Sequence, residues 1–209
     1  MGKSWRLRTP TQLWLKVLSQ IVVAGNAAPG YTLERSQTVR EKLSYLRLKR
    51  MRPGPRRKLV HKVLHAIGTR YVGENARRNK KVDAAMHNFG VLVLSGGPRR
   101  FFKEVSTMKP TKAKIDFLSK KLKFYKKKGS RDSLIELRLA SDCMALDQRL
   151  KKILEGVGAR IPGSVDRQYE EIETELIKRV AKPSGLTGGK LDRILFQNYG
   201  DIMVRLLCM

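Results

Sequence analysis

Apolar positions recur at helical spacing along almost the whole chain. Leu13, Trp14, Val17, Leu18, Ile21 and Val22 mark a first amphipathic helix. Thr9, Pro10 and Gln12 fit the N-cap, N1 and N3 positions of a capping box, and Gly25 fits the stop. A second helix is expected from Thr32 to about Arg50, with Leu33, Val39, Leu43 and Leu46 inward. Pro53-Gly54-Pro55 breaks it, and Pro55 opens a third helix with Leu59, Val60, Val63, Leu64 and Ile67 inward, ending at Gly68. Glu74 to Asn88 reads as a fourth. Val91 to Ser95 is β-branched and bounded by Gly96-Gly97-Pro98, the signature of a short strand or extended segment.

Beyond that point a helix starting at Pro110 carries Ile115, Leu118, Leu122 and Tyr125 on one stripe and stops at Gly129. Ser130 is expected to cap a long helix to about Glu155 that buries Leu134, Leu137, Leu139, Cys143, Leu146, Leu150 and Ile153. Ser164 opens a heptad-like helix with Val165, Tyr169, Ile172, Leu176 and Val180 inward. KPSGLTGG reads as a flexible link, and Leu191 to Met209 as a final apolar helix. The pattern predicts a mainly α fold of about seven or eight helices joined by short Gly/Pro turns, with little or no sheet.

Charge changes this picture most. The 209 residues carry 45 Lys and Arg against 18 Asp and Glu, a formal charge of +27. Residues 35–131 hold 29 basic and five acidic side chains, whereas residues 132–209 hold 12 of each. Three regions follow: an amphipathic start (1–33), a basic helical region (34–131) and a neutral packing region (132–209). Positive charge this dense repels itself unless a polyanion lies against it, and nucleic acid is the common polyanion. The candidate phosphate contacts are Arg40, Arg47, Lys49, Arg50, Arg52, Arg56, Arg57, Lys58 and Lys62 around the Pro-Gly-Pro turn. Arg77, Arg78, Lys80, Lys81, Arg99, Arg100, Lys120, Lys121, Lys126, Lys127 and Lys128 extend them. Phe101 and Phe102 stand beside Arg99, Arg100 and Lys103, where they serve either as stacking faces for unpaired bases or as core. With the charge spread over several helices and no zinc-finger spacing, RNA is favoured over DNA, and the basic region is expected to lie partly extended on it.

Other motifs fall short of chemistry. His61 and His65 are four apart, but Lys62 stands where a zinc protease needs Glu. PSGLTGGK lacks the spacing of a phosphate loop, and Leu191 replaces its Ser or Thr. Glu170, Glu171, Glu173 and Glu175 read as a solvated acidic face. With no nucleophile–base arrangement visible, no enzyme, metal, cofactor or small-molecule substrate is expected. Cys143 and Cys208 suit a reducing compartment. The apolar run from Leu13 to Ala24 is shorter than the ~20 residues of a membrane span.

Residues 1–33 contain no acid and resemble a mitochondrial transit segment. Together with LRLKRMRPGPRRK and KLKFYKKK, they make the chain resemble mitochondrial ribosomal proteins in general character. That resemblance implies a structural constituent of a ribosome, bound to rRNA and to neighbouring ribosomal proteins, with mitochondrial location. The alternative is a ribosome-assembly or RNA-processing factor that binds transiently, with cytoplasmic or nucleolar location as the second possibility.

Overall fold

A computed structural model describes residues 4–75, 79–159 and 168–208, divided into two units, Met1–Lys126 and Lys127–Met209. In the first unit a 3-10 turn, Trp5–Leu7, precedes α1 (Pro10–Val22), α2 (Ala28–Arg35), α3 (Gln37–Lys42), α4 (Tyr45–Arg50) and α5 (Pro53–Ala66). There follow α6 (Lys80–Leu94), α7 (Pro98–Thr107) and α8 (Thr111–Lys121). The capping box at α1 is formed: the Gln12 N–H donates to Thr9 Oγ1 at 3.2 Å, and the Thr9 N–H to Gln12 Oε1 at 2.8 Å. Leu13, Trp14, Val17, Leu18, Ile21 and Val22 are fully buried, and α1 packs against α2, α4, α6 and α7. The centre of this core is aromatic. Trp14 meets Phe89 edge-on at 5.2 Å, Tyr45 leans on the same ring at 5.4 Å, and the Trp14 indole donates to the Leu43 carbonyl at 3.0 Å.

Several expected boundaries move for identifiable reasons. The helix expected over 32–50 is three short ones, because Ser36 accepts the Val39 N–H at 3.3 Å and Ser44 turns the chain again. Leu46 is therefore 58% exposed while Leu48 is fully buried. Val91 to Ser95 is no strand: α6 runs on to Leu94, with Phe89 and Leu92 fully buried, so packing overrides β-propensity. Phe101 and Phe102 lie in α7 and are fully buried, which makes them core.

After α8 the chain turns through Phe124 at φ 65°. Asn88, buried in α6, fastens this turn in both senses: its amide donates to the Lys123 carbonyl at 3.0 Å and accepts the Lys123 N–H at 2.7 Å.

The second unit holds α9 (Lys127–Glu136), α10 (Gln148–Gly156), α11 (Tyr169–Leu176) continuing through a π-helical turn (Ile177–Ala181), α12 (Gly188–Gln197) and α13 (Tyr199–Leu207). Its core gathers Met144, Leu146, Leu150, Tyr169, Ala181 and Leu191. The long helix expected from Ser130 to Glu155 is interrupted. Gly129 sits buried inside α9 and stops nothing, while Arg138 takes φ 55° and the Leu139 N–H reaches back to Leu134 O at 2.8 Å. This is a Schellman-type end with arginine in the usual glycine place. The expected link KPSGLTGG is also corrected, since Thr187 caps α12 and a side chain on Gly188 would meet Ile177 at 2.9 Å and the Cys143 carbonyl at 3.1 Å. The expected start at Ser164 lies outside the described residues. Thirteen α-helices and no strand are found among the described residues, in place of seven or eight helices partly extended on RNA.

Replacing Asn88 with Ala removes both bonds to Lys123 and leaves its backbone groups without them. The expected cost is about 2 kcal/mol, read as a lower urea midpoint at unchanged m-value.

Candidate active site

The segment from Cys143 to Leu146 lies outside helix and strand, and its N–H groups have no helical or sheet partner. Side chains take that role. Glu173 accepts the Met144 N–H at 2.8 Å, Asp192 accepts the Ala145 N–H at 3.1 Å, and the Tyr169 hydroxyl accepts the Leu146 N–H at 2.6 Å. The same hydroxyl donates to the Met144 carbonyl at 3.0 Å. Glu173 is itself gripped by Arg131 of α9, whose Nε and Nη2 reach both carboxylate oxygens at 2.6 to 2.9 Å. Arg131 also lies over the Tyr169 ring at 4.5 Å. Burial alone lowers the proton affinity of Arg131, but its bonds to Glu173 more than offset this and the net shift is upward. Burial first, then the neighbouring carboxylates, push the Cys143 thiol up to about 12, so it carries no thiolate chemistry near neutral pH.

This fastened segment delivers Asp147 to the start of α10, where its Oδ1 accepts the N–H groups of Arg149 at 2.9 Å and Leu150 at 3.1 Å. Three further groups share its electrostatic neighbourhood. Asp192 has its carboxyl raised to about 7, chiefly by burial and then by Asp132, with the Ala145 N–H opposing, Asp147 adding and Lys128 opposing. Lys128 and Asp132 stand four apart on α9, one above the other on the same face. Lys128, exposed, thus acts on Asp192, a carboxyl that titrates near neutrality and also feels Asp132 and Asp147. An amine beside a carboxyl able to take its proton is the arrangement nucleophilic catalysis by lysine requires.

No protein-family model matches the chain, and no curated protein matches it. Three solved structures do. The 8-oxoguanine DNA glycosylase of Thermotoga maritima is 19% identical, with a TM-score of 0.62 over 90% of this chain and 79% of that one. The Methanocaldococcus jannaschii 8-oxoguanine DNA glycosylase is 16% identical, with a TM-score of 0.65 over 90% and 78%. The Methanocaldococcus jannaschii 8-oxoguanine glycosylase/lyase in complex with a 15mer DNA containing 8-oxoguanine is 17% identical, with a TM-score of 0.63 over 90% and 80%. The chain shares its fold with these three structures.

This overturns the resemblance to mitochondrial ribosomal proteins, and with it the expected rRNA and ribosomal partners, the alternative of an assembly factor and the expectation of no enzyme. The physical cause of the error is plain. Phosphate is common to RNA and DNA, so a density of Lys and Arg cannot tell one from the other.

Of the phosphate contacts expected from sequence, Arg40, Arg47, Lys49, Arg50, Arg52, Lys58, Lys62, Lys80, Arg99, Arg100, Lys120, Lys121 and Lys126 are exposed on the first unit. Arg56 and Lys81 are committed to the protein instead. Arg56 donates to the carbonyls of Leu48 at 2.8 Å and Met51 at 2.6 Å and lies over Phe89 at 4.7 Å. Lys81 is 4% exposed and donates to the Ala24 carbonyl at 2.7 Å; burial, then Arg70, lower its pKa. Arg57 pairs with Asp83 at 2.6 Å. Arg77 and Arg78 lie outside the described residues. Lys127 and Lys128 open the second unit, half-buried and exposed respectively. His61 points Nε2 at the Gly73 carbonyl, 2.7 Å away, which occupies that nitrogen as a donor.

Sequence reasoning missed Asp147, Asp192 and the Arg131–Glu173 pair. For Asp147 the signal was present: an aspartate directly before the apolar run Leu150 and Ile153 is an N-cap pattern.

Because the folded chain holds the Asp192 proton up to about pH 7 while the ordinary carboxyl loses it near 3.8, ionisation of Asp192 destabilises the fold. The loss begins above the ordinary value and is complete above the folded one. Asp192→Asn stays neutral and keeps an acceptor for Ala145. Its melting temperature is expected to match the parent at pH 4 and exceed it at pH 8, by the equivalent of on the order of 1 kcal/mol after allowance for partial exposure. Thermal melts at the two pH values check this.

Proposed function

We propose that the protein is a DNA glycosylase with lyase activity, acting on an oxidised purine such as 8-oxoguanine. The observation that carries the reading is the exposed Lys128 amine acting on Asp192, which Asp132 and Asp147 also reach, in a chain that shares its fold with glycosylases. A base inside a duplex is unreachable, so the target nucleotide leaves the stack before reaction. The exposed cations of the first unit supply affinity for the phosphate backbone without demanding a sequence.

The chemistry follows from the residue types. Lys128, once neutral, attacks C1′ of the sugar as the bond from C1′ to the base nitrogen breaks. The base departs with that electron pair and gains a proton. Asp192, titrating near neutrality, is suited to accept the proton that the amine gives up. Asp147, fixed by two N–H groups, lies ready to stabilise positive charge developing on the sugar. Ring opening gives an imine between Nζ and C1′. Loss of a C2′ proton then expels the 3′ phosphate, and water releases the enzyme.

An imine is reducible, which makes the reading testable. Borohydride added to the protein with an 8-oxoguanine duplex is expected to leave a covalent protein–DNA adduct. Lys128→Gln should abolish the adduct and lower base release by at least about 100-fold, while Lys126→Gln and Lys127→Gln retain both. Undiminished trapping in Lys128→Gln would remove Lys128 from the reaction.

A further inference from the structure

The turn Ser95-Gly96-Gly97-Pro98 in the first unit is not absorbed by this chemistry. Gly96 and Gly97 take φ 78° and 114°, and the Gly96, Gly97 and Ser95 N–H groups return to the carbonyls of Val93, Leu92 and Val91. Gly97 is the N-cap of α7, and no side chain caps that helix. The end of a ten-residue helix, with its partial positive charge, is thus left open to an outside acceptor. Arg99 and Arg100 follow directly, both exposed, and Arg100 folds back so that its Cδ lies 2.9 Å and its Nη1 3.4 Å from where a Cβ on Gly96 would stand. The positive φ favours glycine here, and a Cβ would push the Arg100 side chain aside. An open groove of about 930 Å³ runs over the turn, lined by Trp5, Ser95, Arg99, Arg100, Lys103 and the single acid Glu104.

An independent observation comes from beneath the turn. Tyr45 is 3% exposed, and its hydroxyl has no hydrogen-bond partner. That hydroxyl lies 3.7 Å from the position of a Cβ on Gly97. A buried O–H without an acceptor is costly, and one set against an uncapped, arginine-flanked helix start lacks the very group an oxyanion supplies.

We propose that this turn is a phosphate-binding site, formed by the start of α7 with Arg99, Arg100, Lys103 and the Tyr45 hydroxyl. Its ligand is a backbone phosphodiester of the bound nucleic acid, and half-exposed Trp5 offers a ring beside it. The choice of a nucleic-acid strand over free phosphate rests on the DNA reading above; the oxyanion chemistry does not.

The test uses the full chain. Inorganic phosphate is titrated while Trp5 fluorescence is followed, with Trp5→Phe as the control because Trp14 is fully buried. Binding of a short lesion-free duplex is measured by anisotropy across a range of salt. The double variant R99Q/R100Q is expected to lose the phosphate response, weaken duplex binding about tenfold and reduce the salt slope by about 1 to 2. Tyr45→Phe is expected to melt higher yet bind phosphate about threefold more weakly. An unchanged phosphate response in R99Q/R100Q overturns the site. A lost response with unchanged duplex affinity overturns the strand as its ligand. Unchanged phosphate affinity in Tyr45→Phe removes the hydroxyl from it. Duplex affinity reads this site even when no base is released, so its failure and that of the glycosylase reading are separable.

Discussion

The buried fork between Arg131 and Glu173 is the constraint on which the second unit depends. Arg131 is 3% exposed and Glu173 7%, so neither charge has water to fall back on. An isolated buried charge is far costlier than a paired one, which is why removal of one partner of such a pair typically costs about 3 to 5 kcal/mol. The pair also has a geometric consequence. Glu173 spends one oxygen on the Met144 N–H, and Arg131 braces the ring of Tyr169, which holds Leu146 and Met144. A segment without helix or strand that would otherwise bury unpaired N–H groups is thereby fixed, and Asp147 follows it into place.

Fixing matters for chemistry because a carboxylate acts only from a defined position. Asp147 is aimed by backbone on both sides: upstream by the fastened segment, downstream by the first N–H groups of α10. Asp192 has a double duty. It anchors Ala145 and at the same time feels Asp132, Asp147 and Lys128. The group that shapes the backbone is therefore the group tuned to exchange a proton near neutrality, so structure and proton affinity are coupled through one residue.

The helical character of the chain was legible in its periodicity, because α1 buries the stripe its 3.6-residue pattern marks, α5 buries Val60, Val63 and Leu64 of its own, and α8 buries Ile115 and Leu118. Interruptions were less legible. Ser36 breaks a helix through a side-chain bond, Ser44 by extended backbone alone, and Arg138 ends another at positive φ without the glycine that usually announces it. The site was hardest to read. Glu173 looks like any member of an acidic run, yet it faces inward because Arg131, 42 residues earlier, is there to meet it. Lys128 stood out only as one cation among many. What distinguishes it is the company of Asp192, which also feels Asp147 and, from α9 itself, Asp132; Asp147 and Asp192 come from separate parts of the chain, and long-range proximity of that kind leaves no local mark on a sequence.

The fastening of Met144 to Leu146 by side chains has a consequence for how such a chain diverges. Where backbone is held by ladder hydrogen bonds, almost any side chain will do; here the ladder is replaced by Glu173, Asp192 and Tyr169 themselves. Variation is then confined to very few positions in the second unit, while the cationic surface of the first is free to drift, because one exposed lysine replaces another at little cost. A shape held this way leaves most of the sequence free to change, and the 16% to 19% identities at TM-scores of 0.62 to 0.65 show one fold carried by very different sequences. Its shape rests on a handful of buried polar atoms.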